Sequence, residues 1–237
     1  VIQKIVSFAG DLSDKIVLEV GSGPGGLTRA ILEHNPKELH VVEMDPECIT
    51  VLESLQKEFP QIHIHHQDAL TFDIKDIASD GTKVHIVANL PYNVGTPLLI
   101  EWLKNAVLID GMTLMFQKEV ADRITAEVNT KQYGRLSIIS QYLCEVENCF
   151  HLPPYLFTPA PKVDSCVVHL KPYQNVDIKL LPILEKITEK GFGQRRKMIR
   201  SSLKGLVSEE QLQGSHLEPT LRAENLTLDD FINLATD

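Results

Sequence analysis

The segment Asn89-Leu90-Pro91-Tyr92 follows an apolar run and offers chemistry that an ordinary polar loop lacks. The side chain of Asn89 and the backbone carbonyl of Leu90 or Pro91 can accept hydrogen bonds from an exocyclic amine. Such acceptors make a nitrogen whose lone pair is delocalised into a base ring more nucleophilic. Proline fixes the turn, and Tyr92 offers a face for a flipped-out base. The segment predicts a base-amine pocket, with a structural turn as the alternative.

A second chemically suggestive segment places Gly21, Gly23, Gly25 and Gly26 between a predicted strand and a predicted helix. Glycine lets the backbone turn sharply and approach a ligand, and a helix N-terminus presents unpaired N–H groups. The pattern is typical of a cofactor loop, although dinucleotide binding or packing alone would also suit it. Glu43 follows Gly21 by 22 residues and can accept both hydroxyls of a ribose.

Asp68 follows the next predicted strand at the same edge of the sheet. Its carboxylate can accept a hydrogen bond from the amine of a cofactor adenine, and the alternative is a turn-capping or helix-capping aspartate. The glycines, Glu43 and Asp68 together predict an adenosine-containing cofactor, either a dinucleotide or S-adenosylmethionine. The predicted base-amine pocket favours S-adenosylmethionine.

Apolar, strand-like runs alternate along the chain with helical patterns, and these elements would position the residues named above. This alternation predicts a parallel, doubly wound α/β sheet with ligands beyond the carboxyl ends of its strands. The predicted parallel strands are 15–20, 39–44, 61–66, 84–90 and 112–117. Two further β-rich runs, 142–152 and 166–173, suit an antiparallel hairpin that finishes the sheet.

The pattern becomes helical at about Asp177 and stays so to the end of the chain. We therefore expect a cofactor-binding catalytic domain over residues 1–175 and a small helical domain over residues 176–237.

Charge is distributed unevenly along the 237 residues, whose formal net charge is -9. That total argues against nonspecific binding to a polyanion. Residues 1–110 hold 8 Lys+Arg against 16 Asp+Glu, whereas the remainder holds 15 against 16, so a nucleic-acid surface belongs to the second half. The segment GFGQRRKMIRSSLK, residues 191–204, is basic and contains no acidic residue. On a helix, its positions 196, 200 and 204 would form a cationic stripe for phosphates, with a solvated helix face as the alternative. The predicted RNA-binding residues are Arg195, Arg196, Lys197, Arg200 and Lys204.

Several other kinds of site are not expected. No apolar run approaches the roughly 18–20 residues of a membrane span and no signal peptide is evident, so we expect a cytoplasmic protein. The four cysteines lack a Cys-x-x-Cys pair, which favours free thiols. His63 and His65 would share a strand face without an evident carboxylate partner, so packing is favoured over a metal site and no metal is expected.

The ordered set of motifs resembles the ribosomal RNA adenine N6,N6-dimethyltransferase family, most closely its bacterial small-subunit branch. The resemblance runs from about residue 1 to the end of the chain. Single motifs are widely shared, but their order is highly specific. The motifs are EVGSGPGGLT, EMDP, QDAL, NLPYNVGTPLL, FQKEVADRI, YGRLSI, FTPAPKVDS and GFGQRRKMIRSSL.

This resemblance implies a Rossmann-like S-adenosylmethionine-dependent methyltransferase sheet with a small C-terminal helical domain. It implies dimethylation of adenine N6 in a small-subunit ribosomal RNA hairpin, a step in ribosome biogenesis. The implied cofactor contacts are Glu19, Gly21, Gly23, Glu43, Met44, Asp68, Ala69 and Asn89. The implied target-adenine contacts are Asn89, Leu90, Pro91, Tyr92 and Phe157, the last being either the aromatic that closes on the adenine or a packing residue.

The implied partner is small-subunit ribosomal RNA or an immature small subunit, bound by a monomeric enzyme. The family normally opens with a basic segment ending in a Gln-Asn-Phe-Leu-like motif, and nothing before Val1 matches it. We expect that segment to be truncated or disordered, and its true absence to weaken cofactor and RNA binding.

Three alternatives remain at this stage. The chain could modify large-subunit RNA and confer antibiotic resistance, or methylate adenine in DNA, although no separate target-recognition domain is evident. It could also be an RNA-binding assembly or transcription factor that retains a methylase scaffold.

Overall fold

The computed structural model describes residues 1–78, 81–158 and 160–236. Pro159, part of the FTPAPKVDS motif, and Asp237, the end of the predicted helical domain, lie outside the described residues. The strands are β1 Ile16–Val20, β2 Glu38–Glu43, β3 Ile62–His66, β4 Val84–Asn89, β5 Ile109–Gln117, β6 Cys144–Leu152 and β7 Ser165–Pro172. The α-helices are α1 Ile2–Phe8, α2 Gly26–Leu32, α3 Pro46–Glu58, α4 Gly95–Lys104, α5 Lys118–Ile124, α6 Arg135–Leu143, α7 Leu181–Gly193, α8 Ile199–Ser202, α9 Glu209–Gly214 and α10 Leu228–Thr236.

The strands form one seven-stranded sheet in the order β3-β2-β1-β4-β5-β7-β6. The first five strands are mutually parallel, and β7 is antiparallel to β5. Strands β1 and β4 are buried along almost their whole length, which is typical of central strands covered by helices on both faces. The predicted doubly wound sheet and its two finishing strands are confirmed.

The order of the strands reverses its direction between β1 and β4. From β1 the chain proceeds outward to β2 and β3, and it then returns to place β4 and β5 on the other side of β1. Ligands of such sheets bind at this switch point, beyond the carboxyl ends of the two strands. A ligand site is therefore expected beside the residues that follow Val20 and beside the end of β4.

The chain divides into two compact units whose boundaries differ from the predicted domains. One unit comprises residues 1–121 and 146–172, and the other comprises 122–145 and 173–237. In the second unit α6 packs against α7 and α10, and the Tyr133 hydroxyl donates to the Leu226 carbonyl at 2.9 Å. Sequence order placed 122–145 in the first domain, because contacts between segments far apart in the chain leave no local pattern.

The basic segment in the second unit is mostly not helical, so the predicted helix through it is wrong. Its first three residues end α7 at Gly193, and in the rest of the segment only Ile199–Ser202 is helical. Met198 has extended backbone and forms an isolated bridge with Arg222, which holds the chain away from a helical path. Gly205, at φ +80°, turns the chain after the short helix.

The expectation that the β3 histidines have no carboxylate neighbour is also wrong. Glu38 and His40 lie on the adjacent strand β2, and the register aligns His40 with His63. The Glu38 carboxylate lies 3.1 Å from His40 Nε2 and 4.0 Å from His63 Nε2. The carboxylate is brought in by strand pairing, which sequence spacing does not show.

Within the described ranges, no helix combines the length and apolar character that crossing a bilayer requires.

The Glu19 carboxylate is a polar exception inside the first unit. It is fully buried near the end of β1, where Thr28 is its polar neighbour. Burial, which disfavours the charged form, raises the pKa of Glu19 to about 8. The folded protein therefore holds a proton on this side chain at neutral pH.

Stability should fall with pH because of Glu19. Between the ordinary pKa of 4.5 and the folded pKa of about 8, the unfolded chain has released a proton that the folded chain retains. The free energy of unfolding then decreases by up to about 1.4 kcal/mol per pH unit. Glu19→Gln should remove this decrease, so its stability relative to wild type should rise from pH 5 to pH 8 in urea titrations. Glu53→Gln, on the exposed side of α3, is the control that should keep the wild-type decline; parallel profiles for Glu19→Gln and wild type would exclude the buried carboxylate as its source.

A second stability test concerns Gly111 in β5. A Cβ at this position would lie 2.6 Å from Cε1 of the buried His85, which cannot move aside easily. We expect Gly111→Ala to lower the free energy of unfolding by about 1–3 kcal/mol, measured by urea denaturation. Gly214→Ala, where no heavy atom lies within 4 Å, is the control and should stay within about 0.5 kcal/mol of wild type. Equal losses in the two variants would contradict the steric explanation.

Candidate active site

The glycine loop and the turn after β4 meet beyond the carboxyl ends of the two central strands. Gly21 has φ +72°, and a Cβ on it would lie 3.3 Å from Cδ of Pro91 and 3.6 Å from the Asn89 carbonyl oxygen. A side chain at Gly21 would therefore be strained and would press on the turn. The absence of a side chain lets the two predicted site segments touch.

Glu43 fixes the glycine loop to the end of β2. Its Oε2 accepts hydrogen bonds from the Gly23 N–H at 3.0 Å and from the Ser22 hydroxyl at 3.3 Å. Its Oε1 accepts from the N–H groups of Met44 and Asp45 at 2.8 and 3.0 Å. The carboxylate predicted to bind ribose is thus held in a defined orientation by four donors of the protein.

Asp68 lies beside that strand end, because the Gln67 N–H donates to the Glu43 carbonyl at 3.2 Å. Its Oδ1 accepts from the Leu70 N–H at 2.9 Å and caps a short 3-10 turn that begins at Ala69. The capping alternative is therefore observed, and it occupies Oδ1. In the described parts of the chain, Oδ2 has no hydrogen bond.

The turn after β4 presents the amide and the aromatic ring predicted for a base. Asn89 is the exposed last residue of β4, and Leu90 is buried behind it. The Pro91 carbonyl accepts from the N–H groups of Val94 and Gly95, both at 3.1 Å, and so starts α4. Both of its lone pairs are engaged, which leaves the Leu90 carbonyl as the backbone acceptor for an amine.

Tyr92 is tethered through its hydroxyl group, while 40% of the residue remains exposed. The hydroxyls of Tyr92 and Ser165 lie 2.9 Å apart, and Ser165 is fully buried at the start of β7. The tether fixes the orientation of the ring without covering its face. Ser165 was missed by sequence reasoning because only the pairing of β7 with β5 brings it to this end of the sheet.

Two adjacent cavities share the walls Asn89, Met115 and Phe157. The smaller, of about 260 Å³, lies over the turn and is lined by Asn89, Leu90, Pro91, Tyr92, Met115, Phe157 and Pro161. The larger, of about 530 Å³, lies between the glycine loop and α1 and includes Gly21, Ser22, Asn89, Met115 and Phe157. Asn89 therefore stands where a cofactor site and a base site would meet.

Sequence reasoning missed Met115 and the part of α1 that lines the larger cavity. Met115 is the β5 partner of Asn89 in the β4–β5 ladder. The sequence MTLMFQ has a strand pattern. Because the β4–β5 ladder shifts its register between Val84 and His85, however, the residue opposite Asn89 cannot be found by counting along the two strands. Of the predicted cofactor contacts, Gly21 and Asn89 line the larger cavity. The others line neither cavity: Glu19, Gly23, Glu43, Met44, Asp68 and Ala69.

The predicted RNA-binding residues all lie in the second unit, but their surroundings differ. Arg195 Nε donates to Glu224 Oε2 at 2.9 Å, and its Nη2 donates to the Thr130 carbonyl at 3.2 Å. Arg195 thus supports its own unit. The exposed members of the set are Arg196, Lys197, Arg200 and Lys204.

The residues of the first unit fit an adenosine-containing sulfonium cofactor such as S-adenosylmethionine. Gly21 and Gly23 have positive φ, Gly21 lies against the turn after β4, and a fixed carboxylate stands at the end of β2. The larger cavity lies within the usual range of roughly 300–1,000 Å³ for small-ligand sites.

Comparisons with known proteins agree with this arrangement. The profile of a family described as "Ribosomal RNA adenine dimethylase" matches residues 1–236. The chain is 45% identical over 237 residues to "Ribosomal RNA small subunit methyltransferase A" of Allorhizobium ampelinum, covering 98% of this chain and 86% of the relative. The protein of the same name from Rhizobium meliloti is 46% identical over 238 residues, with the same coverage of 98% and 86%.

Solved structures are similar over nearly the whole chain. A dimethyladenosine transferase from Plasmodium falciparum has a TM-score of 0.81 at 25% identity and covers 98% of this chain and 93% of its own. The 23S rRNA methyltransferase ErmE has a TM-score of 0.76 at 24% identity, covers 99% of this chain and 95% of its own, and so supports the fold alone. Given the profile match over residues 1–236 and relatives at 45% and 46% identity, the chain belongs to the ribosomal RNA adenine dimethylase family.

Proposed function

We propose that this chain transfers two methyl groups in succession to the N6 amine of adenines in a small-subunit ribosomal RNA hairpin. The observation that carries the proposal is the position of Asn89, which lines both the cavity beside the glycine loop and the cavity over the turn. S-adenosylmethionine is the methyl donor of the family. The 45% identical relatives are named for the small subunit.

The turn after β4 would hold and activate the amine. Asn89 Oδ1 and the Leu90 carbonyl accept its two N–H groups, which favours a pyramidal nitrogen with an available lone pair. Tyr92, oriented by Ser165, and Phe157 provide aromatic faces at the smaller cavity for the flipped-out base. These contacts restrain the nitrogen toward the wall that the two cavities share, so positioning contributes much of the rate.

The cofactor would be held by the glycine loop and Glu43, and when bound it supplies an electrophilic methyl group. A ribose hydroxyl would replace the longest contact of Glu43, the 3.3 Å bond from Ser22. Asp68 Oδ2 would accept from the adenine amine of the cofactor, while Oδ1 continues to cap the turn that begins at Ala69. Met44, 66% exposed after β2, would cover the adenine from outside, and Glu19 would support the loop from beneath.

A second transfer needs an amine that still binds after the first. Monomethylated N6 keeps one N–H, so either Asn89 or the Leu90 carbonyl suffices to orient it. Met115 and Phe157 form the apolar side of the smaller cavity, where the first methyl group would be accommodated.

RNA would be contacted through the exposed members of the predicted set in the second unit, which all lie within residues 176–237, and the catalytic role would belong to the first unit. We infer that the substrate is an immature small subunit, that the enzyme acts as a monomer and that it works in the cytoplasm. The large-subunit alternative is not favoured, because the relatives at 45–46% identity carry the small-subunit name.

Asn89→Ala should strongly slow methyl transfer while the fold and the cofactor cavity remain. By analogy with the loss of one preorganised polar group, we expect a decrease of about 10²–10³-fold in the rate of dimethyladenosine formation. The assay incubates protein-free small-subunit RNA or immature subunits with methyl-labelled S-adenosylmethionine, followed by nucleoside analysis. Asn105→Ala, at the opposite end of α4, is the matched amide control and should retain activity. Dimethyladenosine formed by Asn89→Ala at the wild-type rate would refute the proposed role and would favour a scaffold function.

Arg196 and Arg195 offer a matched test of the RNA surface. Arg196→Ala removes an exposed cation and should lower the slope of log affinity against log salt by roughly 0.7–0.9, the value for one lost phosphate contact. Arg195→Ala should chiefly lower the free energy of unfolding, because it breaks the contacts with Glu224 and Thr130. RNA-hairpin titrations at several salt concentrations and urea denaturation separate the two effects. An unchanged slope for Arg196→Ala would exclude it from the RNA surface.

A further inference from the structure

A cluster of imidazole and carboxylate groups lies on β2 and β3, away from the cofactor end of the sheet. We call Glu38, His40, His63 and His65 the edge cluster. The strand register aligns His40 with His63, and alternation along each strand puts all four side chains on one face. Glu38 begins β2 and Glu43 ends it, so five residues, or roughly 16 Å, separate the two carboxylates.

Three atoms of the edge cluster are already close to metal-binding positions. Glu38 Oε2 lies 3.1 Å from His40 Nε2 and 4.0 Å from His63 Nε2, and one ligand atom from each residue lies within 4.8 Å of the other two. Tetrahedral bonds of about 2.0–2.2 Å place ligand atoms roughly 3.3–3.5 Å apart. A small contraction around a cation would therefore complete the set.

The imidazoles of His40 and His63 differ in how far they can move, and this difference permits the contraction. The His40 side chain is only 9% exposed and is fixed in the sheet, whereas that of His63 is 46% exposed. The rings are stacked, with centroids 4.7 Å apart and planes inclined by 17°. An ion that is bound by both imidazoles must lie in the plane of each ring. The His63 ring must therefore rotate about its side-chain bonds, and it has room to do so because it is exposed.

His65 orients the ring of His40 by contacting the ring nitrogen that does not face Glu38. His65 Nε2 lies 2.9 Å from His40 Nδ1, and the His65 ring is itself held edge-on against Phe72. When His40 Nδ1–H donates to His65 and Nε2 is unprotonated, Nε2 and Glu38 Oε2 are two acceptors 3.1 Å apart, which a proton or a metal ion between them would satisfy. The other tautomer, in which Nε2–H donates to Glu38, satisfies the pair without an ion and is the state with which a metal would compete. An imidazole ligand whose second nitrogen is hydrogen-bonded is the usual arrangement at metal sites.

We propose that Glu38, His40 and His63 bind a divalent transition-metal ion of the zinc type, with the fourth position open to water. Two imidazoles and one carboxylate suit Zn²⁺ better than Mg²⁺ or Ca²⁺, which prefer oxygen ligands. The Lys37 ammonium lies 3.8 Å from Glu38 Oε1 and leaves Oε2 for the ion. The ion would join the outer strand β3 to β2 and stabilise that edge of the sheet.

The test is a Zn²⁺ titration of the tag-free, metal-stripped 237-residue chain without cofactor or RNA, read by equilibrium dialysis and thermal unfolding. We expect one Zn²⁺ per chain and a concentration-dependent rise in Tm. His63→Ala and Glu38→Gln should each weaken binding at least tenfold. His65→Phe, which keeps a ring at the position but no nitrogen, should weaken it by about 10–100-fold through His40. Co²⁺ substitution should give the absorption bands of a tetrahedral site in wild type, and these should be lost in His63→Ala.

His151→Ala is the matched control, because His151 is also 46% exposed and pairs with one carboxylate, that of Asp164, at 3.0 Å. It should bind Zn²⁺ as wild type does. The proposal is overturned if wild type binds no stoichiometric Zn²⁺, if His63→Ala and Glu38→Gln bind it as tightly as wild type, or if His151→Ala weakens binding equally. Because neither cofactor nor RNA enters the measurement, its failure would leave the methyl-transfer proposal unaffected.

Discussion

The contact between Gly21 and the turn after β4 is the constraint on which the site depends. Neighbouring parallel strands lie about 4.7–4.9 Å apart, so the segments that leave β1 and β4 must pass close to each other. A Cβ at Gly21 would meet Pro91 at 3.3 Å, so the approach is possible because that side chain is absent. It brings Asn89 to the wall shared by the two cavities, where groups must be held about 3–3.5 Å apart to react.

Two carboxylates near this contact illustrate how surroundings decide what a side chain does. Glu43 accepts four hydrogen bonds and holds the glycine loop against β2. Glu19 is fully buried, and burial raises its pKa to about 8. The first carboxylate fixes a loop through its hydrogen bonds, and the second is a neutral group inside the core.

Much of the fold was predictable because its signals are local. Apolar runs and helical periodicity located the strands and the order of the elements, and that order implies a parallel sheet. The basic segment shows the limit of such signals. Its charges suggested a helical stripe, but pairing of Met198 with Arg222 and the turn at Gly205 leave only Ile199–Ser202 helical after α7 ends at Gly193. Tertiary contacts overrode a local preference that amounts to a fraction of a kcal/mol per residue.

By itself, the sequence determined the chemistry on offer at the ends of β1, β2 and β4, because glycine, carboxylate and amide groups keep their properties wherever they are placed. Only the tertiary structure decided which groups meet. It engaged the Pro91 carbonyl with the N–H groups of Val94 and Gly95, brought Met115 to the smaller cavity and Ser165 to the Tyr92 hydroxyl, and placed Glu38 beside His40 and His63. These choices depend on strand register and on hydrogen bonds between distant segments, and neither leaves a periodic trace in the chain.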